Sequence, residues 1–202
     1  MSTALLQTTY FGPVQWYQKL YRYDHCLIEQ YDSFQKQTYR NRCIIATANG
    51  LQALTVPVEH SDEKMLTKDL RISDHNQWRR VHWNALQSAY SESPFFEYYA
   101  DDLHPFFEQK YTFLVDFNEN IRQKICELID IRPCVSYTSD FRHHASDIID
   151  FRDIIHAKHP QPDPDFEPKA YWQVFQHKHA FLPNLSILDL LFCMGPESIF
   201  YL

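Results

Sequence analysis

The side chain best suited to acid–base chemistry in this sequence is a histidine on a predicted helix that is otherwise apolar. His82 lies four residues after Trp78, and two alanines continue the same helical face. Because histidine titrates near neutral pH, His82 is a candidate general base if that face borders a cleft. Asp32 and Asp189 are its candidate catalytic partners. The simpler alternatives are a buried, satisfied ring for His82 and helix capping, together with Ser186, for Asp189.

Metal and cofactor chemistry have less support. Eleven histidines is a high count, and three close groups lie in the last third of the chain: His143-His144, His156-x-x-His159 and His177-x-His179. The sequence contains no H-E-x-x-H motif and no cysteine spacing typical of structural zinc. With three glycines in all, it lacks the glycine-rich loops that hold phosphate in P-loop and dinucleotide-binding proteins. We therefore predict neither a metal nor a cofactor.

The composition is that of a folded protein with an acidic charge balance. The 202 residues are 45% hydrophobic and have a formal net charge of −7, which argues against an extended nucleic-acid interface. No stretch approaches the roughly 18–20 apolar residues that a membrane span needs, and the N-terminus lacks the pattern of a secretory signal. The five cysteines are scattered, as expected for reduced thiols. These features predict one domain over residues 1–202, located in the cytoplasm. They leave the oligomeric state open.

The N-terminal segment predicts a β-α-β unit. Residues 5–10 and 26–29 are typical of strands, and residues 14–22 between them are typical of an aromatic helix. Gln7 and Tyr10 lie towards the end of the first strand, where open α/β sheets place ligand sites. Ordinary sheet packing explains both residues as well.

A β-hairpin follows. Residues 42–48 and 51–58 are β-prone runs, and alternating apolar residues in the second run predict one buried face. Asn49-Gly50 joins the two runs and is the preferred pair for a type I′ turn.

The rest of the chain is predicted to be mainly helical. We expect helices at residues 78–92, 95–108 with a break at Pro105, 118–132 with Asn118 as its cap, and 148–155, and a short strand at 135–137. A proline-rich connector over residues 160–168 precedes a last helix, which a capping box at Ser186 opens and Gly195 closes. Together the elements predict an α/β or α+β fold: a small central sheet with the β-α-β unit and the hairpin, packed by several helices.

In their order along the chain, several short motifs resemble the WbqC-like protein family. The first are Tyr10-Phe11-x-Pro13, Tyr31-Asp32-x-x-Gln35-Lys36, Asn41-Arg42 and Leu54-Thr55-Val56-Pro57-Val58. The others are Trp78 with His82, Tyr90 before Pro94-Phe95-Phe96, Tyr171-x-Gln173-x-Phe175, and Leu185-Ser186-Ile187-Leu188-Asp189-Leu190-Leu191 with Gly195. The resemblance covers nearly the whole chain. The segment Ser139-Asp140-Phe141 departs from it, because family members commonly have a glycine-containing loop there.

The resemblance implies a function in building surface glycans. The family is associated with gene clusters for O-antigen and other bacterial surface polysaccharides, and its prototype is proposed to add an aminoacyl group, such as glycyl, to an amino sugar. The chain is thus expected to be a transferase that acts on a nucleotide-linked or lipid-linked amino sugar, with an aminoacyl donor as the second partner.

Such a transfer needs a base near the attacking amine and cations for an anionic carrier. The family motifs place Gln35, Lys36, Asn41 and Arg42 before and at the start of the hairpin, and we predict that they bind substrate. The Arg42 guanidinium is suited to phosphate. The alternative is that these residues bind no substrate: they would be solvent-exposed at the start of the strand, with Arg42 in an ion pair.

A different class of protein fits the same sequence. A non-catalytic protein could bind an assembly enzyme or a glycan through two aromatic pairs, Tyr98-Tyr99 and Phe106-Phe107, although helix packing explains these pairs equally. A catalyst should bring Lys36, Arg42 and His82 into one cleft. A binding module should instead show a broad apolar patch, with those three residues dispersed.

Overall fold

The computed structural model describes residues 2–59, 65–143 and 148–202. Within these ranges the strands are β1 (Thr3–Gln7), β2 (His25–Glu29), β3 (Arg42–Thr47), β4 (Gly50–Thr55), β5 (Val135–Tyr137) and β6 (Ile148–Asp150). The α-helices are α1 (Val14–Arg22), α2 (Trp78–Tyr90), α3 (Phe96–Leu103), α4 (Pro105–Glu108), α5 (Leu114–Leu128), α6 (Gln176–His179) and α7 (Ile187–Met194). Short 3-10 helices lie at Thr67–Asp69, His75–Gln77 and Gly195–Tyr201.

Four parallel strands form the central sheet, in the order β5-β2-β1-β6. Ala4, Leu5 and Leu6 of β1 are buried, which is the near-continuous apolar pattern of a parallel strand covered on both faces. Helix α1 connects β1 to its neighbour β2, so the predicted β-α-β unit and the α/β class are confirmed. Later in the chain, β5 extends the sheet beyond β2, whereas β6 is added on the other side of β1. The strand order therefore reverses direction between β1 and β6.

The hairpin of β3 and β4 is confirmed, but its turn differs from the prediction. Thr47 pairs with Gly50, so the two central turn residues are Ala48 and Asn49 rather than Asn49 and Gly50. The positive φ in this turn falls on Gly50, at 106°. A type I′ turn needs positive φ at both central residues, whereas a glycine directly after the two central residues is typical of a bulged hairpin.

The predicted cap at Asn118 is wrong, because α5 begins four residues earlier, at Leu114. Asn118 lies inside the helix and is buried, and its side-chain amide donates to Thr8 Oγ1 (3.1 Å) and to the Arg40 carbonyl (2.8 Å). The predicted break at Pro105 is confirmed, since α3 ends before this residue and α4 begins with it.

The helix predicted over residues 148–155 is also wrong. The first three of these residues form β6 and pair with Thr3, Ala4 and Leu5 of β1. Pairing with a strand more than 140 positions away in the sequence overrides the local pattern, which is too short to distinguish strand from helix.

The last helix, α7, begins after Ser186 and ends before Gly195 as predicted, but Asp189 does not complete the predicted capping box, because the Ser186 backbone N–H donates to the Ile44 carbonyl. The Ser186 hydroxyl accepts from the Leu188 backbone N–H (3.3 Å) and Gly195 follows the helix with φ of 56°. A Cβ at Gly195 would lie 2.6 Å from the Phe95 ring, so close packing as well as φ selects glycine there.

One hydrophobic cluster includes side chains from Ala4 to Leu202 and surrounds the sheet. The proline-rich connector follows α1 closely: Asp163 forms a buried ion pair with Lys19 (2.7 Å) and accepts from Gln15 Nε2 (2.8 Å). None of the helices among the described residues is long and apolar enough to cross a membrane.

Candidate functional site

Polar and charged side chains gather at the carboxyl ends of three adjacent strands. Gln7 ends β1, Glu29 ends β2 and Asp150 ends β6. In open parallel sheets, ligands bind outside the carboxyl ends of the strands, at the position where the strand order reverses. That position is between β1 and β6 in this sheet. We call the following residues the carboxyl-edge cluster: Gln7, Glu29, Asp32, Arg40, Asp150 and Arg152.

Arg40 connects two members of this cluster. Its guanidinium donates from Nη1 to Gln7 Oε1 (2.7 Å) and from Nη2 to the Asp32 carboxylate, although Arg40 is only 4% exposed. The other Asp32 oxygen accepts from Thr67 Oγ1 (2.5 Å), and Gln7 Nε2 donates to the Ile155 carbonyl (2.6 Å). A buried ion pair is stable only when further hydrogen bonds satisfy it, and this pair has them. The bonds fix the end of β1 against the loops that follow β2 and β6.

Glu29 connects the loops on the other side of the cluster. Its carboxylate is fully buried and accepts four hydrogen bonds. Oε1 accepts from the Tyr31 backbone N–H (2.8 Å) and Thr138 Oγ1 (2.9 Å). Oε2 accepts from the Arg142 backbone N–H (2.9 Å) and Arg152 Nη1 (3.2 Å). Four donors satisfy both oxygens, so Glu29 acts as a fixed anchor for loops on both sides of the site.

Arg152 is the cluster cation nearest to solvent. Its side chain is 11% exposed, and Nη2 donates to Asp150 Oδ2 (2.6 Å). The guanidinium also lies over the exposed ring of Phe141, 5.2 Å from the ring centroid. A planar guanidinium held by the Glu29 and Asp150 carboxylates and by a ring has a fixed orientation, which favours binding of a phosphate or a carboxylate by its remaining N–H groups.

The surface around the cluster carries charges of both signs. Lys68 lies over the Tyr31 ring at 5.4 Å and pairs with Asp69 (2.9 Å). Arg142 pairs with Asp140 at 3.8 Å. The surface around the cluster therefore offers cationic donors to an anionic group of a ligand and carboxylates to an amine, within one region.

Two of the residues predicted from the sequence, Gln7 and Asp32, belong to the carboxyl-edge cluster, and Arg40 joins them. Both residues are more than nine-tenths buried, and their side chains are bonded within the protein. Direct roles for them in binding or catalysis stay predictions.

Tyr10 and His82 lie together in the core. The Tyr10 hydroxyl is 2.9 Å from His82 Nδ1, and the Trp78 and His82 rings pack in a T-shaped arrangement with centroids 5.1 Å apart. Burial lowers the pKa of His82 to about 4, although a contact with the Thr55 backbone acts in the opposite direction. His82 is therefore neutral at pH 7 and enclosed, an arrangement that favours the packing alternative over general-base catalysis.

The four polar residues before and at the start of the hairpin separate into exposed and structural positions. Gln35 and Lys36 are exposed in the loop after β2. Asn41 is buried and donates from Nδ2 to the Val56 carbonyl (2.8 Å), and half-buried Arg42 donates to Thr55 Oγ1 (3.0 Å). Since His82 is enclosed while Lys36 faces solvent, the expected cleft of Lys36, Arg42 and His82 is not formed by these described residues.

Asp189 lies elsewhere, on α7. Its carboxylate is fully buried and accepts from Tyr90 (2.9 Å), Tyr171 (2.6 Å) and Gln173 (2.9 Å). The side chain points into the core instead of capping the helix start. Burial raises its pKa, and the three donors act against that shift.

Among the described residues, the histidine groups form no arrangement that could hold a metal ion. The rings of His156 and His159 have centroids 5.7 Å apart, whereas His144 lies outside the described residues. Over residues 2–59, 65–143 and 148–202, no group of three or more metal-binding side chains could hold an ion. The absence of a metal stays a prediction.

Glu29, Arg40, Asp150 and Arg152 are not among the site residues predicted from the sequence, although Arg40 belongs to a short basic cluster, Arg40–Arg42, that could face an anion. Glu29 ends a strand that was predicted correctly, so the carboxyl-end rule applied to Gln7 would also have found Glu29. The helix predicted over residues 148–155 includes Asp150 and Arg152, so that prediction does not place Asp150 at the end of a strand or Arg152 in the loop after it.

The comparison with protein families identifies one family for this chain. Residues 7–161 match the WbqC-like protein family. The chain is also similar to the uncharacterized protein Rv1507c of Mycobacterium tuberculosis, with 26% identity over 98% of this chain and 96% of the relative. No solved structure matches.

Proposed function

Because the chain belongs to the WbqC-like protein family, we propose that it is a transferase of bacterial surface polysaccharide biosynthesis, of the O-antigen type. Its substrate would be a nucleotide-linked amino sugar, and the group added would be aminoacyl, such as glycyl. The observation that supports this proposal is the carboxyl-edge cluster, at the position where open α/β sheets bind ligands.

The cluster offers the two kinds of group that such a substrate needs. The diphosphate of a nucleotide sugar requires pre-organised cationic donors, and Arg152 has this character at the solvent side. The amino group requires a nearby carboxylate, and Asp150 lies beside Arg152. We place the diphosphate against Arg152 and the amino sugar at the end of β6.

The reaction would be an aminolysis. The amine nitrogen of the sugar attacks the carbonyl carbon of an aminoacyl ester, and the ester C–O bond breaks as the new amide forms. A base accepts the amine proton, and the carrier leaves as an alcohol after regaining a proton. The catalytic role predicted for His82 stays a prediction, and its enclosure gives it no direct path to the amine.

The alternative, a non-catalytic binding protein, has less support, because most of the aromatic side chains expected to form its binding surface are buried. Tyr99, Phe106 and Phe107 are at least 93% buried, and only Tyr98 of the four aromatics is strongly exposed, at 73%. Helix packing therefore accounts for three of the four side chains.

Titration calorimetry with a panel of UDP- and dTDP-linked amino sugars tests the proposal. We expect one panel member to bind the wild type, and Arg152→Gln to weaken this binding about tenfold or more, because it removes a charged donor. Arg79→Gln is the matched control: Arg79 also donates to an aspartate, Asp74 (2.6 Å), and lies over a ring, Trp78 (4.6 Å), but it is on α2 outside the cluster.

The proposal would be contradicted if no nucleotide sugar binds the wild type. It would also be contradicted if Arg152→Gln and Arg79→Gln weaken binding equally, since the effect would then not depend on the carboxyl-edge cluster.

A further inference from the structure

A half-buried histidine lies next to the carboxyl-edge cluster, and the chemistry described above does not use it. His156 follows Ile155, whose carbonyl accepts from Gln7 Nε2 at 2.6 Å. This bond holds the loop after β6 against the end of β1. His156 therefore lies at the position where the strand order reverses.

One ring nitrogen of His156 is already occupied. Nδ1 accepts from the backbone N–H of Lys158 (3.0 Å) and from that of His159 (3.1 Å). Both partners are donors, so Nδ1 must be unprotonated, and in the neutral ring the proton is on Nε2. The backbone thus sets the tautomer before any ligand binds.

The surroundings of His156 favour the neutral ring. Burial, the neighbouring His159 and the Arg40 guanidinium lower its pKa, and Lys158 acts in the same direction. Asp153 opposes them. The ring stacks on His159, with an interplanar angle of 30°.

A neutral imidazole with Nδ1 occupied can donate one hydrogen bond but cannot accept a proton without losing its backbone donors. Over the described residues, no side chain or carbonyl accepts from His156 Nε2. The turn therefore fixes the ring through Nδ1, and within the described part of the chain Nε2–H has no acceptor, next to a site proposed for an anionic ligand.

We propose that His156 binds the substrate as a neutral hydrogen-bond donor, with Nε2–H directed at a phosphate oxygen of the nucleotide-linked sugar. This inference rests on the proposed function for the location of the ligand. It assigns His156 to binding and polarisation, not to proton abstraction, and it excludes a metal on Nδ1. A turn-capping residue without contact to ligand is the competing explanation.

Two substitutions separate the ligand contact from the turn. In His156→Asn, Oδ1 takes the place of Nδ1 and can still accept from the backbone N–H groups of the turn, while the distal donor is lost. In His156→Gln, the side-chain amide keeps a donor near the position of Nε2, while the bonds to the turn are lost. We expect His156→Asn to keep the wild-type melting temperature and to bind about tenfold more weakly. His156→Gln should lower the melting temperature and keep most of the affinity.

Nitrogen-15 NMR of the histidine rings tests the tautomer in the absence of ligand. We expect His156 at neutral pH to show a protonated Nε2 and an unprotonated Nδ1. Addition of the binding UDP- or dTDP-linked sugar, or of inorganic pyrophosphate, should shift the Nε2–H resonance. An imidazolium, or a proton on Nδ1, would overturn the inference.

The remaining outcomes distinguish this inference from the proposed function. If a nucleotide sugar binds while His156→Asn has wild-type affinity and the His156 resonances do not move, the inference fails and the proposed function stands. If only pyrophosphate binds and shifts Nε2–H, the inference stands and the nucleotide-sugar assignment fails. If neither probe binds, both fail.

Discussion

Two buried polar regions of this protein differ in a way that separates structure from function. Around Asp189, three neutral donors surround one carboxylate inside the core. In the carboxyl-edge cluster, carboxylates and guanidinium groups alternate from the fully buried Glu29 to Arg152, which is 11% exposed. The hydrogen bonds around Asp189 join only groups inside the core. The carboxyl-edge cluster instead continues to the surface, where the exposed Phe141 ring and the cations Lys68 and Arg142 lie.

The contrast teaches that burial of a charge does not by itself mark a functional site. Asp189 was a candidate catalytic residue because of its type and its motif, yet every partner it has is an internal donor. Glu29 of the carboxyl-edge cluster is also a buried carboxylate. Its hydrogen bonds, however, hold the loops that follow the carboxyl ends of the strands. Access from solvent, together with fixed donors, distinguishes the second region.

The largest effect is expected from Asp189→Asn. The new amide would direct N–H groups at neighbours that are themselves donors, so we expect the free energy of unfolding to fall by about 3 kcal/mol. Urea unfolding measures this change, and Asp116→Asn, at an exposed position in the first turn of α5, should change it by less than about 0.5 kcal/mol. A similarly small change for Asp189→Asn would contradict the claim that the Asp189 carboxylate stabilises the fold.

The next largest effect is the pH dependence of stability that comes from His82, the histidine in the core. The folded-state pKa of His82 is lowered to about 4 from an ordinary value of about 6.5, so the folded protein favours the neutral ring. The stability from this group is present above the ordinary value and is lost as the pH falls towards 4. Near pH 4.5 we expect the wild type to lose about 2–3 kcal/mol through His82.

His82→Gln, which does not titrate, should be less stable than the wild type at pH 7 but should show a shallower loss between pH 7 and about 4.5. Chemical unfolding at several pH values gives both slopes. Equal slopes would mean that folding does not lower the pKa of His82, which would contradict its enclosure in the core.

The smallest effect is expected at the rim of the carboxyl-edge cluster. Phe141→Ala removes the ring under Arg152, so affinity for the nucleotide sugar should fall roughly three- to fivefold while the stability changes little. Phe200→Ala removes a more exposed ring, at 72%, and should leave affinity unchanged. Calorimetry on both variants checks this, and equal effects would show that the rim does not contact ligand.

Local patterns predicted much of the fold. The β-α-β unit, the hairpin, the break at Pro105 and the helix that begins after Ser186 follow from signals within a few residues. The failures have tertiary causes: β6 is a strand because it pairs with β1, and Asn118 lies inside α5 because its amide is needed by Thr8 and Arg40.

The candidate site was predicted less well for a similar reason. Gln7 and Asp32 were found from a strand end and a motif, but their connection through Arg40 exists only in three dimensions. Arg152 bonds to Glu29 across 123 positions in the sequence. No spacing rule relates residues so far apart, so charge pairs of this kind emerge only once the strand order is known.

Hydrogen exchange with and without a nucleotide-linked amino sugar tests the central claim most directly, because it reports on both regions in one experiment. We predict slower exchange on binding in residues 29–33, 138–143 and 151–159, which border the carboxyl-edge cluster, and no change in α7 around Asp189. Protection in α7 without protection at the carboxyl edge would contradict the assignment of the site.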